Sequence, residues 1–321
     1  MKGQLHAVAF TEAGMETGRR IRGLTSLVRC PRGGLADWTA AHWEEADGLL
    51  FIGAAGIAVR AIAPFVQKKT MDPAVVVIDE KGHFVIPLLS GHIGGANAWA
   101  AELAAELQAV PVITTATDLN GVFAVDTWAV SQGLAIRNPE RIRQVSAKLL
   151  AGERIGLYSE LPVAGRYPDG VTSEEPYDVV ISPFRRDDAA LHLIPRCVTL
   201  GIGCRKGTPE EAIEALFQKC GPEECSVTAV CSIDLKAEEP GLLAFCGHHG
   251  FPFRTASASA LRAVPGAFTG SEFVRSVTGV ENVCERAAVW GGGRLLLPKT
   301  AENGVTMAAA MAEVPLHFPE L

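Results

Sequence analysis

The chain has 321 residues, of which 48% are hydrophobic and 20% charged, with a formal net charge of −7. That length is too great for one ordinary core and suits two or three packed domains. The acidic balance excludes nucleic acid as the main partner, because phosphate binding needs a basic surface, yet a local basic cleft can still hold an anionic small molecule. No run approaches the roughly 18 apolar residues of a membrane span, and the opening Met1-Lys2-Gly3-Gln4-Leu5-His6 lacks the apolar core of a signal peptide. A cytoplasmic location without membrane contact is expected. The eight cysteines form no C-x-x-C pair, and reduced, buried thiols are expected of them.

Residues 7–10 and 48–53 read as strands and 55–66 as a helix. Residues 74–79 and 83–89 read as two strands joined by the turn Glu80-Lys81-Gly82, followed by an Ala-, Leu- and Glu-rich amphipathic helix over 96–107. A strand at 110–115 and a helix at 124–132 come next. Asn138-Pro139 predicts a helix running to about residue 150, with Asn as N-cap and Pro at the first helical position. Short strands at 155–158 and 179–181, among several Pro and Gly residues, read as a small middle domain. Beyond residue 196 strands are expected at 197–201, 227–232, 252–255, 294–298 and 305–310, with helices at 208–219 and 239–246. The alternation predicts a multi-domain α/β fold of largely parallel sheets flanked by helices, divided as 1–133, a small α/β middle domain at 134–195, and 196–321.

In open α/β sheets, ligands bind where strands end and loops lead into helices. Three such loops stand out. Phe51-Ile52-Gly53-Ala54-Ala55-Gly56 leads toward Arg60 and lets backbone amides approach a ligand, although its G-x-x-G spacing is not a dinucleotide fingerprint and a tight turn is the structural alternative. Leu89-Ser90-Gly91-His92-Ile93-Gly94-Gly95 precedes the strongest helix; without G-x-S-x-G, Ser90 is a contact residue rather than a nucleophile. Beside it in sequence stands the polar cluster Thr114-Thr115-Ala116-Thr117-Asp118-Leu119-Asn120, with Asp126 close behind; turn and capping duty is its structural alternative. The third loop, Gly201-Ile202-Gly203-Cys204-Arg205-Lys206-Gly207-Thr208-Pro209-Glu210-Glu211, predicts a capping box from Thr208 to Glu211. It also places two cations and several amides at a helix start, a receptor for carboxylates. Its spacing is not that of a P-loop, and Cys204 fits there by small size alone.

The stretch 201–208, together with Ile233-Asp234-Leu235-Lys236-Ala237-Glu238-Glu239-Pro240-Gly241-Leu242 and Gly279-Val280-Glu281-Asn282-Val283-Cys284-Glu285-Arg286-Ala287-Ala288, resembles blocks of the CbiG family of anaerobic cobalamin biosynthesis. Those blocks are shared with its single-domain relative CobE, and 53–60, 89–97 and 114–126 resemble the family's N-terminal domain. The resemblance implies three domains and a cobalt-precorrin-5A tetrapyrrole substrate, whose δ-lactone is opened with release of acetaldehyde. It also implies transient contact with neighbouring enzymes of the pathway. Cobalt would arrive inside the substrate, so no cofactor is expected, in keeping with the lack of any H-E-x-x-H or C-x-x-C motif.

Lactone opening needs a base, oxyanion donors and grips for the substrate carboxylates. His92 is the expected base, having an ordinary pKa near neutrality, with the amides of 91–94 as oxyanion donors. Asp118 and Glu285 are further catalytic candidates, Asp126 and Glu239 secondary ones. The candidate substrate contacts are Gly53, Arg60, Ser90, Gly91, Asn120, Gly203, Cys204, Arg205, Lys206, Lys236, Glu239 and Lys299. A non-catalytic carrier of corrinoid precursors is the alternative, and turnover separates the two.

Overall fold

Two unbroken apolar runs, Gly-Leu-Leu-Phe-Ile and Ala-Val-Val-Val-Ile, bury every residue, as inner strands of a sheet covered on both faces must. The computed structural model describes residues 3–30, 33–68, 71–186 and 188–318. Packing divides the chain into two units, 1–130 with 146–153 and 131–145 with 154–321.

In the first unit, β1 (Leu5–Ala9), α1 (Glu12–Arg19), β2 (Ser26–Arg29), α2 (Leu35–Trp43), β3 (Gly48–Ile52), α3 (Ala55–Ile62) and β4 (Ala74–Ile78) alternate, and the four strands are parallel in the order β2-β1-β3-β4. A tight turn, closed by the Gly82 amide on the Asp79 carbonyl at 2.9 Å, sends β5 (Phe84–Leu89) back antiparallel to β4. Through α4 (Ala96–Leu107) the chain then reaches β6 (Val110–Pro111), parallel to β5. The pleat sorts side chains onto two faces. Ala7, Leu50, Val76 and Ile78 pack with Trp99, Ala100 and Leu103 of α4. Val8, Phe51, Val75 and Val77 pack with Trp38 and Trp43 of α2 and Ala58 and Ile62 of α3. The reversal at β5 has a functional consequence. Leu89 pairs with Val75 at the start of β4, so the loop after β5 leaves the opposite end of the sheet from the loop after β3.

Two short helices follow, α5 (Ala116–Leu119) and α6 (Val125–Ser131). In the second unit β7 (Ala135–Ile136) stands apart in sequence; after α7 (Ile142–Leu150), which spans the division, come β8 (Ile155–Ser159), β9 (Val163–Ala164), β10 (Val171–Thr172), β11 (Tyr177–Ile181) and β12 (Leu191–Ile194). A sheet of order β10-β8-β11-β12-β7 is parallel except where β7 meets β12. The second sheet of this unit is built from β13 (Val198–Cys204), α8 (Glu210–Cys220), β14 (Val227–Ile233), α9 (Pro240–His249), β15 (Phe253–Ala256), α10 (Ala258–Ala263), α11 (Glu272–Thr278), α12 (Cys284–Gly291), β16 (Arg294–Glu302) and β17 (Val305–Met311). Its order is β15-β14-β13-β17-β16, with β13 to β15 parallel and β17 antiparallel to both neighbours. A final β18 (Leu316–His317) pairs with β9. The fold is therefore multi-domain α/β with mostly parallel sheets flanked by helices.

Three local expectations are corrected. Asn138 does stand in the N-cap position with Pro139 next, but its side chain makes no capping bond. It bonds the Ala190 carbonyl and the His192 amide, both at 2.8 Å, and the first turn, Pro139–Arg141, is 3-10 before α7 continues to Leu150. Thr208 forms no capping box, because its hydroxyl donates to the Arg205 carbonyl at 2.8 Å and α8 starts at Glu210 with Pro209 in the cap position. The strand at 110–115 shrinks to the two residues of β6 at the sheet edge, and α5 begins at Ala116.

Candidate functional site

At the end of the first sheet where β5 finishes, the glycine-rich loop folds back on itself before α4 begins. Ser90 adopts φ +56, and its hydroxyl is sealed against the Asp72 carbonyl at 2.9 Å. A Cβ on Gly94 would stand 2.4 Å from that of Ser90, so only glycine permits this closure. Gly95, in the left-handed region with φ +84, starts α4. The loop thus holds the His92 ring away from the core and toward the turn carrying α5 and α6.

His92 lies between two carboxylates. Its Nδ1 is 3.2 Å from Asp126 Oδ2 and its Nε2 is 3.1 Å from Asp118 Oδ2, with the Thr117 hydroxyl 3.3 Å from Nε2. Access differs on the two sides: the Asp126 side chain is 5% exposed, His92 19% and Asp118 40%. The hydrogen bond to Asp126 is the main force holding the His92 proton; burial opposes it, and the charge of Asp126 and the bond and charge of Asp118 add to it, carrying its pKa up to about 9. Burial would raise both aspartates, but this is outweighed. Asp118 is held low by bonds from Thr115, His92 and Asn97, and Asp126 by His92 and the Thr127 amide. At neutral pH the site is an imidazolium flanked by two carboxylates. A ring in that charge state takes up no proton and can offer one.

The other candidates of the first unit do not join this cluster. Gly53 and Arg60 follow β3 at the opposite end of the sheet, where the Arg60 guanidinium bonds the Gly56 carbonyl at 3.1 Å beside an apolar groove of Leu35, Ile57 and Phe65. Asn120 turns its amide back to the Ala116 carbonyl at 2.8 Å. Ser90 shapes the loop through its sealed hydroxyl, and the Gly91 carbonyl accepts from the Asn97 backbone amide at 2.9 Å. The cluster contains two residues that sequence reasoning undervalued, Asp126 and Asn97; an asparagine in the first turn of an Ala- and Leu-rich helix, with Gly95 already in the cap position, was the available signal.

In the second unit, the loop after β13 is also partly filled from within. Glu239 accepts from the Gly207 amide at 2.6 Å and from Lys236 Nζ at 2.7 Å. The Lys236 bond, against burial, keeps the Glu239 carboxyl below its ordinary range. The chain's own carboxylate therefore sits in the expected anion receptor, and Lys236 is already neutralised. Arg205 and Lys206 remain exposed. Gly203 accepts the Thr306 hydroxyl at 3.1 Å, and burial first of all raises the Cys204 thiol, which disfavours it as a nucleophile. Glu285, 1% exposed, accepts from the Thr269 and Lys299 amides at 2.8 and 2.7 Å and from Asn282 at 2.6 Å. Saturated and sealed, it braces a loop, which argues against the acid or base duty expected of it. Lys299 is half-buried, with its amide committed to that brace.

Among the described residues no group of three or more His, Cys, Asp or Glu side chains is arranged to hold a metal ion, and no helix is long and apolar enough to cross a membrane.

Three family descriptions match the chain in succession: "Cobalamin synthesis G N-terminal" over residues 37–118, "Cobalamin biosynthesis central region" over 123–195 and "Cobalamin synthesis G C-terminus" over 198–310. The chain is 38% identical over 304 residues to the cobalt-precorrin-5A hydrolase of Salmonella typhimurium, covering 87% of this chain and 86% of that one. It is 35% identical over 298 residues to the cobalt-precorrin-5A hydrolase of Priestia megaterium, covering 84% and 79%. Protein CobE of Sinorhizobium sp. matches at 34% over 121 residues, covering 35% of this chain and 79% of that one.

Proposed function

The chain belongs to the CbiG family of cobalamin-synthesis proteins, and from that premise we propose that it hydrolyses cobalt-precorrin-5A, opening the δ-lactone and releasing acetaldehyde. The relatives' activity supports the substrate class. One observation carries the reading to particular residues: the His92 imidazolium held between buried Asp126 and exposed Asp118.

In this reading Asp118 takes a proton from the attacking water while the amides of 91–94 receive the developing oxyanion. His92 donates its proton to the ring oxygen as the acyl–oxygen bond breaks, leaving a carboxylic acid and a hydroxyl. Neutral His92 then takes the hydroxyl proton back as the carbon–carbon bond breaks and its electron pair flows into the conjugated macrocycle. Asp126 holds the ring throughout, as a buried acid orients a catalytic histidine elsewhere. Arg205, Lys206 and Lys299 are proposed contacts for the peripheral carboxylates; Lys236, paired with Glu239, is a weaker one.

Anaerobic incubation with cobalt-precorrin-5A, with acetaldehyde read by a coupled dehydrogenase, tests the reading. Stoichiometric acetaldehyde is expected; substrate bound and returned unchanged would make the protein a carrier. We further infer that cobalt enters only as part of the substrate. Turnover should then survive dialysis against a chelator, and restoration of lost activity by zinc or magnesium would contradict this. A cytoplasmic location is inferred with it, and recovery of the protein in a membrane fraction would count against that.

A further inference from the structure

We propose that Asn97 is a positioning residue that fixes which oxygen of Asp118 is left to accept a proton. The proposal rests on the reading of Asp118 given above. Asn97 is 9% exposed, in the first turn of α4. A residue that weakens the helix there needs another reason to be present, and its contacts supply one. The side-chain amide donates to Thr115 Oγ1 at 2.9 Å and to Asp118 Oδ2 at 3.0 Å. Its carbonyl lies over Gly91, where a Cβ would come within 2.7 Å, and its backbone amide bonds the Gly91 carbonyl at 2.9 Å. One side chain therefore ties the loop that carries His92 to the turn that carries Asp118.

The result is an uneven carboxylate. The Thr115 hydroxyl, the Asn97 amide and His92 Nε2 all donate to Oδ2 of Asp118. Three donors saturate that oxygen and lower its basicity. Oδ1 takes none of these bonds, and with the side chain 40% exposed it is the oxygen available to a water molecule. Aspartate in place of Asn97 would fit the space but set a second carboxylate against Oδ2, and two such groups share one proton.

The test is Asn97→Asp, with the titration of Asp118 followed by carbon NMR in the substrate-free protein and with kcat and KM measured across pH. The Asp118 midpoint should rise by about a unit or more. At neutral pH, kcat should fall on the order of tenfold to a hundredfold with KM little changed. The optimum should move to lower pH, where the introduced carboxyl is protonated and donates again. A merely structural asparagine would not move the pH optimum. If Asn97→Asp does not fold, Asn97→Ala removes the donors without adding charge. The Asp118 midpoint should again rise and kcat fall, but the acid limb of the pH profile should move up with that midpoint. An unmoved midpoint and limb would overturn the role of Asn97. An unmoved Asp118 midpoint with normal kcat, alongside an inactive Asp118→Asn, overturns the role of Asn97 alone. Full activity of Asp118→Asn overturns the reading beneath it.

Discussion

Both units of this protein hold a histidine gripped at its two ring nitrogens by carboxylates, and the two sites differ in access. His249, in the last turn of α9, meets Glu214 at 2.7 Å through Nε2 and Glu224 at 3.0 Å through Nδ1. It is 8% exposed, stacked on Phe251 at 5.0 Å and flanked by Phe245. Burial works against its proton, but the bonds and charges of Glu214 and Glu224 prevail and raise its pKa. His92 is raised in the same way, to about 9, yet its ring is 19% exposed on a glycine-rich loop and its inner partner Asp126 is sealed at 5%. Both partners of His249, by contrast, are open, Glu214 at 34% and Glu224 at 56%. A raised histidine pKa thus marks an ion pair in both places; access and a transferable proton distinguish a site from a clamp. Both pairs share one linkage sign. Each folded pKa lies above the unfolded value of 6.5, so each contributes stability fully present below that pH and lost as pH rises through the folded value, near 9 for His92.

The comparison would break first at His92→Asn. Asparagine can keep a hydrogen bond but carries no proton to transfer, so acetaldehyde release should fall about a hundredfold or more while substrate still binds. Near-normal turnover would make His92 a second clamp. Within the second unit, the pairing of Lys236 with Glu239 contrasts with the exposure of Arg205 and Lys206. Replacing the latter two with alanine should weaken substrate affinity about tenfold for each cation removed, without a change in melting temperature, since the loop is held by backbone groups of Arg205 and Gly304. Unchanged affinity in an equilibrium titration would remove this loop from the substrate. The smallest effect is expected of His249→Gln: turnover unchanged, with a loss of about 1–2 kcal/mol in stability, read as a melting point lower by a few degrees. A large fall in kcat there would erase the distinction between the two histidines.

Much of the fold was legible because β3 and β4 are unbroken apolar runs and α4 is a strong helix former. Helix α1 was not, since Gly14 and Gly18 depress its propensity, and α2 begins without a capping side chain. The His92 loop and the Asp118 cluster were visible as polar residues at strand ends. Their separation from Gly53 and Arg60 was implicit in the short turn at Glu80-Lys81-Gly82, which forces β5 antiparallel and carries its loop to the other end of the sheet. The saturation of Glu285 and the self-occupied receptor at Gly207 depend on contacts across 14 to 32 positions of chain, beyond the reach of local pattern.

The chemistry proposed at this site depends on the charge state of His92, and titration of its ring by NMR in the substrate-free protein, assigned with His92→Asn, reads that directly. The predicted midpoint is about 9, falling toward 6.5 in Asp126→Asn. A midpoint near 6.5 that ignores Asp126→Asn would contradict it.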